Sequence, residues 1–330
     1  MQEYTSTRSN ALIDPGLHVW HGEVPTYLFL GGLVAGVMVL TGVWMLRSPE
    51  ETRSRALSLL PWAAPVLLSL GMLFLWLDLE NRWNVARFYL TFEPTSPMSW
   101  GSWILLAIYP ASVLLALRML PSELRACPLS KLARRVGATE LGQRAEASFA
   151  RLMEWVDART REIALANVLL GIGLGIYTGI LLGSLGARPL WSSAMLGPLF
   201  LVSGLSTGAA FMMLYGLKDH ERIALGRADM ALIVVELALI GLWLTGLMTG
   251  GAVSRAAAAV ILGGPYTAAF WTLVVSLGLL APLAAEWLEL RHRAVPGRLA
   301  AVLVLVGGFA LRWILVYAGQ HTDWMMAALR

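Results

Sequence analysis

Two kinds of polar residue stand out in an otherwise apolar chain of 330 residues. The first are titratable groups gathered in two short segments. One is "HVWHGEV", with His18, His21 and Glu23, and the other is "LWLDLENRW", with Asp78, Glu80 and Arg82. A third segment, "PTSPMSW" at 94–100, places Ser96, Ser99 and Trp100 around two prolines. Histidine and carboxylate side chains bind and release protons, while hydroxyls and indoles supply hydrogen bonds. The chemistry on offer is proton exchange with a hydrogen-bonded partner. The second kind lies inside apolar runs: Arg312 in "GGFALRWILVYAGQ", Glu236, Asn167 and, deeper, Tyr177, Ser206 and Thr207. An ionised group in hydrocarbon is costly, so Glu236 and Arg312 mark either a structural pair or a function. Hydroxyls in such runs ordinarily bond a neighbouring helix.

These residues must be positioned by membrane-spanning helices. The chain is 57% hydrophobic and only 14% charged, more apolar than a soluble core of this size requires. Spans of about 20 apolar residues recur. Eight are expected, near 25–46, 58–79, 101–121, 163–185, 191–217, 229–250, 266–290 and 298–320. The fold class is therefore all-α and polytopic. Eighteen of the 25 Lys and Arg fall in or beside the connections after spans one, three, five and seven. Positively charged loops stay in the cytoplasm, so both termini are expected outside and the 122–162 connection inside. Within it Phe149, Leu152, Met153 and Val156 recur at helical spacing, as in a helix lying on the membrane surface. The high sequence pI, near 9.5, thus reports orientation rather than nucleic-acid binding. In this topology the "HVWHGEV", "LWLDLENRW" and "PTSPMSW" segments all meet at the outer interface. Solvated helix ends use the same residue types, and the nearby tryptophans suit an interfacial belt. It is the convergence of three segments that points to a site.

Gly32, Leu33 and Gly36 match Gly204, Leu205 and Gly208 at an offset of 172, which Pro110 and Pro282 share. The chain is expected to be two repeated four-helix units in parallel. The first covers 25–162 with a fourth helix at 163–185, and the second covers 191–320. Residues 1–24 and 321–330 flank them. One cysteine, Cys127, excludes a disulfide framework and a Cys-ligated iron–sulfur cluster within the chain. The five histidines, His18, His21, His220, His292 and His321, lie in loops or at span ends. A membrane b-type haem would want them mid-span, so neither haem nor metal is expected.

At "YLFLGG", "DLENRW", "RFYLTFEPTSPMSWGSW", "PLWSSAMLGPLFLVSGLSTGAA" and "LRWILVYAGQ" the chain resembles the NrfD/PsrC family of quinone-reactive membrane subunits. The resemblance covers nearly all the spans. It implies a quinone/quinol-interacting subunit of a respiratory oxidoreductase complex in the bacterial inner membrane, with both termini extracytoplasmic. Such a subunit carries no cofactor of its own and takes menaquinone or ubiquinone as an exchangeable substrate. It partners a four-cluster iron–sulfur subunit and a catalytic subunit, often molybdopterin-dependent. The quinone is then expected at the outer face among His21, Glu23, Tyr27, Asp78, Ser96, Ser99 and Trp100. Quinone-binding members carry an Asn, His and Tyr set at the start of the first helix. Here the position corresponding to the histidine is Tyr27, with Glu23 and His21 one turn earlier. Pro94 and Pro97 are expected to prevent helix, Ser99 to cap the third span, and Gly101 and Ser102 to leave room for a flat ring. A proton relay through Glu236, Tyr177 and Arg312 accompanies this reading. The rivals are a secondary transporter, suggested by the repeat and the buried charges, and a structural anchor that has lost its quinone site.

Overall fold

The structure, a computed structural model, describes residues 20–48, 52–79, 81–121, 124, 140–290 and 297–322. His18, Glu80, His292 and Cys127 lie outside them. Among the described residues there are helices and turns and no strand. Eight helices are long and apolar enough to cross a membrane. They are α1 (Glu23–Arg47), α2 (Arg55–Asp78, with a 3-10 turn at Leu60–Trp62), α3 (Pro97–Met119), α5 (Thr160–Gly183), α6 (Leu196–Met213), α7 (Asp219–Thr249), α9 (Thr267–Glu289) and α10 (Gly297–Gln320). Among the described residues, two further helices of more than ten residues fall outside this set: α4 (Glu140–Ala158) and α8 (Ala252–Leu262).

Helix α1 is the centre of the molecule and packs on α2, α5, α6 and α10. It can sit there because its sequence is apolar on every face and small where it meets α6. Gly32 and Gly36 lie against Gly204 and Gly208, and a Cβ added at Gly36 would stand 2.9 Å from the Gly208 Cα. The glycines matched by the 172-residue offset thus face each other across one helix crossing. Close backbone approach of this kind is how helices gain packing energy in lipid, where burial of apolar surface gives none. Helix α1 thus packs on helices from both the earlier and the later parts of the chain.

Several helix boundaries differ from expectation, two of them for a clear local reason. The third span opens at Pro97 instead of 101. Proline fits the first helical position, where no N–H is needed, so Pro97 starts the helix that it was expected to prevent. The sixth span begins ten residues early, at Asp219. Its first turn is secured by the Glu221 carboxylate, which accepts from the Lys218 backbone N–H at 2.9 Å and from Ser54 N–H at 2.7 Å. The second contact ties it to the α1–α2 connection. In α9 the segment Phe270–Leu280 is wound as a π-helix, directly before Pro282, which has no N–H to give the preceding turn. In α4, Met153 and Val156 are buried while Leu152 is exposed, so part of its apolar face is already covered by the protein.

Candidate functional site

Helices α1, α2, α3 and α5 diverge at the end where α1 begins, and a cavity of about 280 Å³ opens between them. Its wall is mostly apolar and aromatic. Trp20, Val24 and Leu28 come from the start of α1, Leu75 and Trp76 from α2, Met98 and Leu105 from α3, and Leu181 and Leu185 from α5 and just beyond it. Few polar groups reach it: Tyr27, Asp78, Tyr89, Ser102 and Tyr177. Two glycines lie against the phenol rings, and at one of them there is no room for a side chain. Gly71 in α2 lies against the Tyr27 ring, where a Cβ would be 3.6 Å from Cδ2. Gly101 in α3 lies against the Tyr177 ring, which a Cβ there would overlap. The space at Gly101 is filled by this tyrosine instead of being left open for a ligand ring.

Two of these phenols act on the third. Tyr27 is buried within electrostatic reach of Tyr177 and Tyr89. Burial also pushes the Tyr89 phenol above its ordinary range, so all three are neutral hydroxyls able to donate a hydrogen bond. Asp78 ends α2 at the cavity mouth and lies within electrostatic reach of Glu23 and His21. His21 is exposed, and Glu23 is half-buried with Oε2 enclosed and without a hydrogen-bond partner among the described residues. Arg82 caps the same helix end, donating to the Leu77 carbonyl at 2.8 Å while lying over the Trp76 ring. The outer wall is held from the other half of the chain. Gln320, at the end of α10, accepts from Trp20 N–H and donates to Trp20 C=O, both at 3.0 Å. The Trp20 ring stacks on Trp191, whose Nε1 donates to the Leu315 carbonyl at 2.7 Å.

Of the expected residues, Tyr27 and Asp78 line the cavity, and His21 and Glu23 stand at its mouth. Ser96, Ser99 and Trp100 do not line it. They fasten the turn before α3. Trp100 Nε1 donates to the Pro94 carbonyl at 2.8 Å, and Ser99 Oγ accepts from Glu93 N–H at 3.0 Å. Ser96 is the N-cap residue, with no side-chain capping bond. The expected Ser99 cap is therefore replaced by a bond backwards to Glu93. Phe92 meets Trp100 and Trp103 edge-on. The Glu93 carboxylate accepts from Thr95 Oγ1 at 2.8 Å and from Thr95 N–H at 3.3 Å, which hold it below the usual carboxylate range. The Pro94 carbonyl and the Thr95 and Ser99 hydroxyls, expected to be left unpaired by the prolines, are thus satisfied within the turn itself. This segment contributes to the cavity through Met98 and Ser102.

The residues grouped as a relay are not contiguous. Tyr177 belongs to the cavity. Glu236 and Arg312 are joined deep in the second half through Ser203. Arg312 Nη1 donates to Ser203 Oγ at 2.6 Å and to the Gly308 carbonyl at 2.9 Å, and Ser203 is hydrogen-bonded to Glu236. The guanidinium lies over the Phe200 ring, 5.2 Å from its centroid, and against Gly32 of α1. Asn167 ties α5 to α3 through the Ala111 carbonyl at 2.8 Å, a structural role. Thr207 bonds carbonyls of its own helix. Sequence reasoning missed Tyr89, a single tyrosine in a short connection with no spacing to distinguish it. It also missed Asp229 and Glu286, two buried carboxyls within hydrogen-bonding reach of each other. Among the described residues no group of three or more His, Cys, Asp or Glu is gathered as a metal site would require.

The sequence of this helical bundle has relatives among known proteins. The family model described as "Polysulphide reductase, NrfD" matches residues 11–323. The chain belongs to the NrfD family. Among its relatives is a polysulfide reductase chain of Wolinella succinogenes, 27% identical over 315 residues, covering 92% of this protein and 94% of that one. Protein NrfD of Escherichia coli is 29% identical over 317 residues, covering 92% and 96%. A selenate reductase subunit of Mesobacillus selenatarsenatis is 27% identical over 332 residues, covering 94% and 76%. This NrfD-family protein is thus a multi-pass membrane protein whose relatives are subunits of reductase complexes.

Proposed function

We propose that the protein is the quinone-reactive membrane subunit of a respiratory oxidoreductase complex. It would exchange two electrons between menaquinone or ubiquinone and a partner iron–sulfur subunit, which in turn serves a catalytic subunit. The observation that carries this reading is the cavity. Its volume, about 280 Å³, is close to the lower end of small-molecule pockets, roughly 300–1,000 Å³. That suits a ring headgroup whose isoprenoid tail remains between helices. Aromatic and aliphatic walls accept the ring, and Tyr27, Tyr89 and Tyr177 can donate to its oxygens. Oxidation of a bound quinol releases two electrons and two protons. Asp78, with Glu23 and His21 beside it, is placed to take protons at the mouth, and the enclosed, unpartnered Glu23 Oε2 offers a further acceptor. Ser96, Ser99 and Trp100 support the wall without touching the headgroup.

The distribution of Lys and Arg supports a cytoplasmic-membrane location with both termini and the cavity on the outer side. Protons from a quinol oxidised there would be released on the outer side of the membrane. Glu236 and Arg312, half-way across the bundle, support a proton relay. Gly32, against Arg312, and Tyr27 are five residues apart on α1, roughly 7–8 Å along the axis. Tyr177 would then be the cavity end of that relay. The transporter reading rested on the repeat and the buried charges. The relatives, named as parts of polysulfide and selenate reductases, favour electron transfer.

The test is quinol-linked turnover of the assembled complex. His21→Ala, Glu23→Gln and Asp78→Asn should each lower it with assembly intact. A hydrogen bond to a charged group contributes about 1.5–3 kcal/mol, roughly ten- to a hundred-fold in rate if it is made in the transition state. Full activity in all three variants would place the site elsewhere.

A further inference from the structure

Along α7, Arg222, Asp229 and Glu236 recur every seven residues, so they share one face about 10 Å apart. Each meets a polar partner on another helix. Arg222 Nη2 forms an ion pair with Glu289 Oε1 of α9 at 2.9 Å, half-exposed at the rim opposite the cavity. Glu236, 2% exposed, is joined to Arg312 of α10 through Ser203. In both outer rungs an acid faces a cation. The middle rung breaks this rule. Asp229, 0% exposed, faces Glu286 of α9, 4% exposed, and the two carboxyls are within hydrogen-bonding reach. Ser206 of α6, one turn from Ser203 on the same face, donates to Asp229 Oδ1 at 2.6 Å. Asp229 Oδ2 and both Glu286 oxygens have no donor among the described residues.

The groups facing this rung are Ser206 from α6, Arg222 and Glu236 from α7 itself, and Glu289 from α9. Arg222 is already paired with Glu289, and Arg312 serves Glu236. Two carboxylates this close cannot both be charged in a low-dielectric interior with no cation of their own. Three oxygens without a donor need a hydrogen. We propose that Asp229 and Glu286 share a bound proton, making the middle rung a proton-binding site inside the membrane. The proton sits between Asp229 Oδ2 and a Glu286 oxygen, leaving one net negative charge that Ser206 stabilises. The Arg222–Glu289 rim lies about 10 Å to one side and Glu236 about 10 Å to the other, so the site stands at the head of the proposed relay. As a place for a proton it is independent of the quinone reading; as the source of that relay it rests on it.

Infrared spectra of the purified complex in sodium-free buffer at neutral pH, without quinol, test the site by itself. A protonated carboxylic acid C=O band that shifts in D2O is expected. It should be absent from the double variant Asp229→Asn/Glu286→Gln, whose amides keep the shape and can pair. If that variant does not accumulate, Ser206→Ala serves instead, since loss of its hydrogen bond must shift the same band. Three results would overturn the proposal. One is a band unchanged in these variants. Another is no such band in the wild-type complex. The third is a band that disappears when sodium is added, which would make the pair a sodium site.

Discussion

At the cavity mouth His21, Glu23 and Asp78 are exposed or half-buried beside aromatic walls, whereas Asp229, Glu236, Glu286 and Arg312 are sealed between helices of the second half. The residue types overlap and their circumstances are opposite. Groups at the mouth keep some water and can exchange partners, so removing one changes binding or rate. Groups inside depend on each other, because an isolated charge there has nothing else to bond. This difference underlies the proposal that turnover belongs to the cavity, while the interior groups hold the bundle together.

The largest effect expected from breaking this contrast is at Arg312. Arg312→Ala leaves Glu236 as a lone buried charge and should cost about 3–5 kcal/mol, seen as loss of folded protein in detergent or a lowered melting temperature. Adding Glu236→Gln should restore much of it, because the stranded charge is gone. Next is Gly36→Ala, which drives a Cβ into the Gly204 carbonyl and toward the Gly208 Cα. Overpacking of this kind costs about 1–3 kcal/mol, measurable in the same melting experiment. Variants at the mouth should instead leave melting unchanged and lower turnover, as set out above for His21, Glu23 and Asp78.

The smallest effect belongs to the turn before α3. Hydrogen bonds from Thr95 hold Glu93 below the usual carboxylate range. A depressed folded value means that its contribution is present above the unfolded value and is lost as pH falls through the folded one. The turn should therefore loosen only on acidification below the ordinary carboxylate range. Proteolysis of the 91–97 segment would report it, and Glu93→Gln should remove the pH dependence. Ser99→Ala, which deletes the bond from Glu93 N–H, should cost about 1 kcal/mol without changing turnover at saturating quinol.

Much of this was legible in the sequence for a physical reason. Apolar length marks the spans, and alternating basic loops bring "HVWHGEV", "LWLDLENRW" and "PTSPMSW" to one end whatever the packing. What could not be read is where each side chain spends its hydrogen bonds. Ser99 and Trp100 look like ligands for something external, yet they close their own turn. Gly101 looks like vacant space, yet a tyrosine from α5, 76 positions away in the chain, fills it. Asp229 was hidden because it stands where the apolar run begins, and a carboxylate there reads as an interfacial residue. The helix starts ten residues earlier, which carries Asp229 into the bundle. Glu286 was hidden by the same ambiguity at the end of "PLAAEWLEL".

The most direct test of the central claim is photolabelling of the assembled complex with a light-activated quinone analogue, mapped by peptide mass spectrometry. Labels are expected on the cavity wall, at Tyr27, Trp76, Tyr89 or Tyr177, and should disappear when excess unlabelled quinone competes. Competed labels confined to α6–α10, with the α1–α3 and α5 peptides clean, would contradict the account.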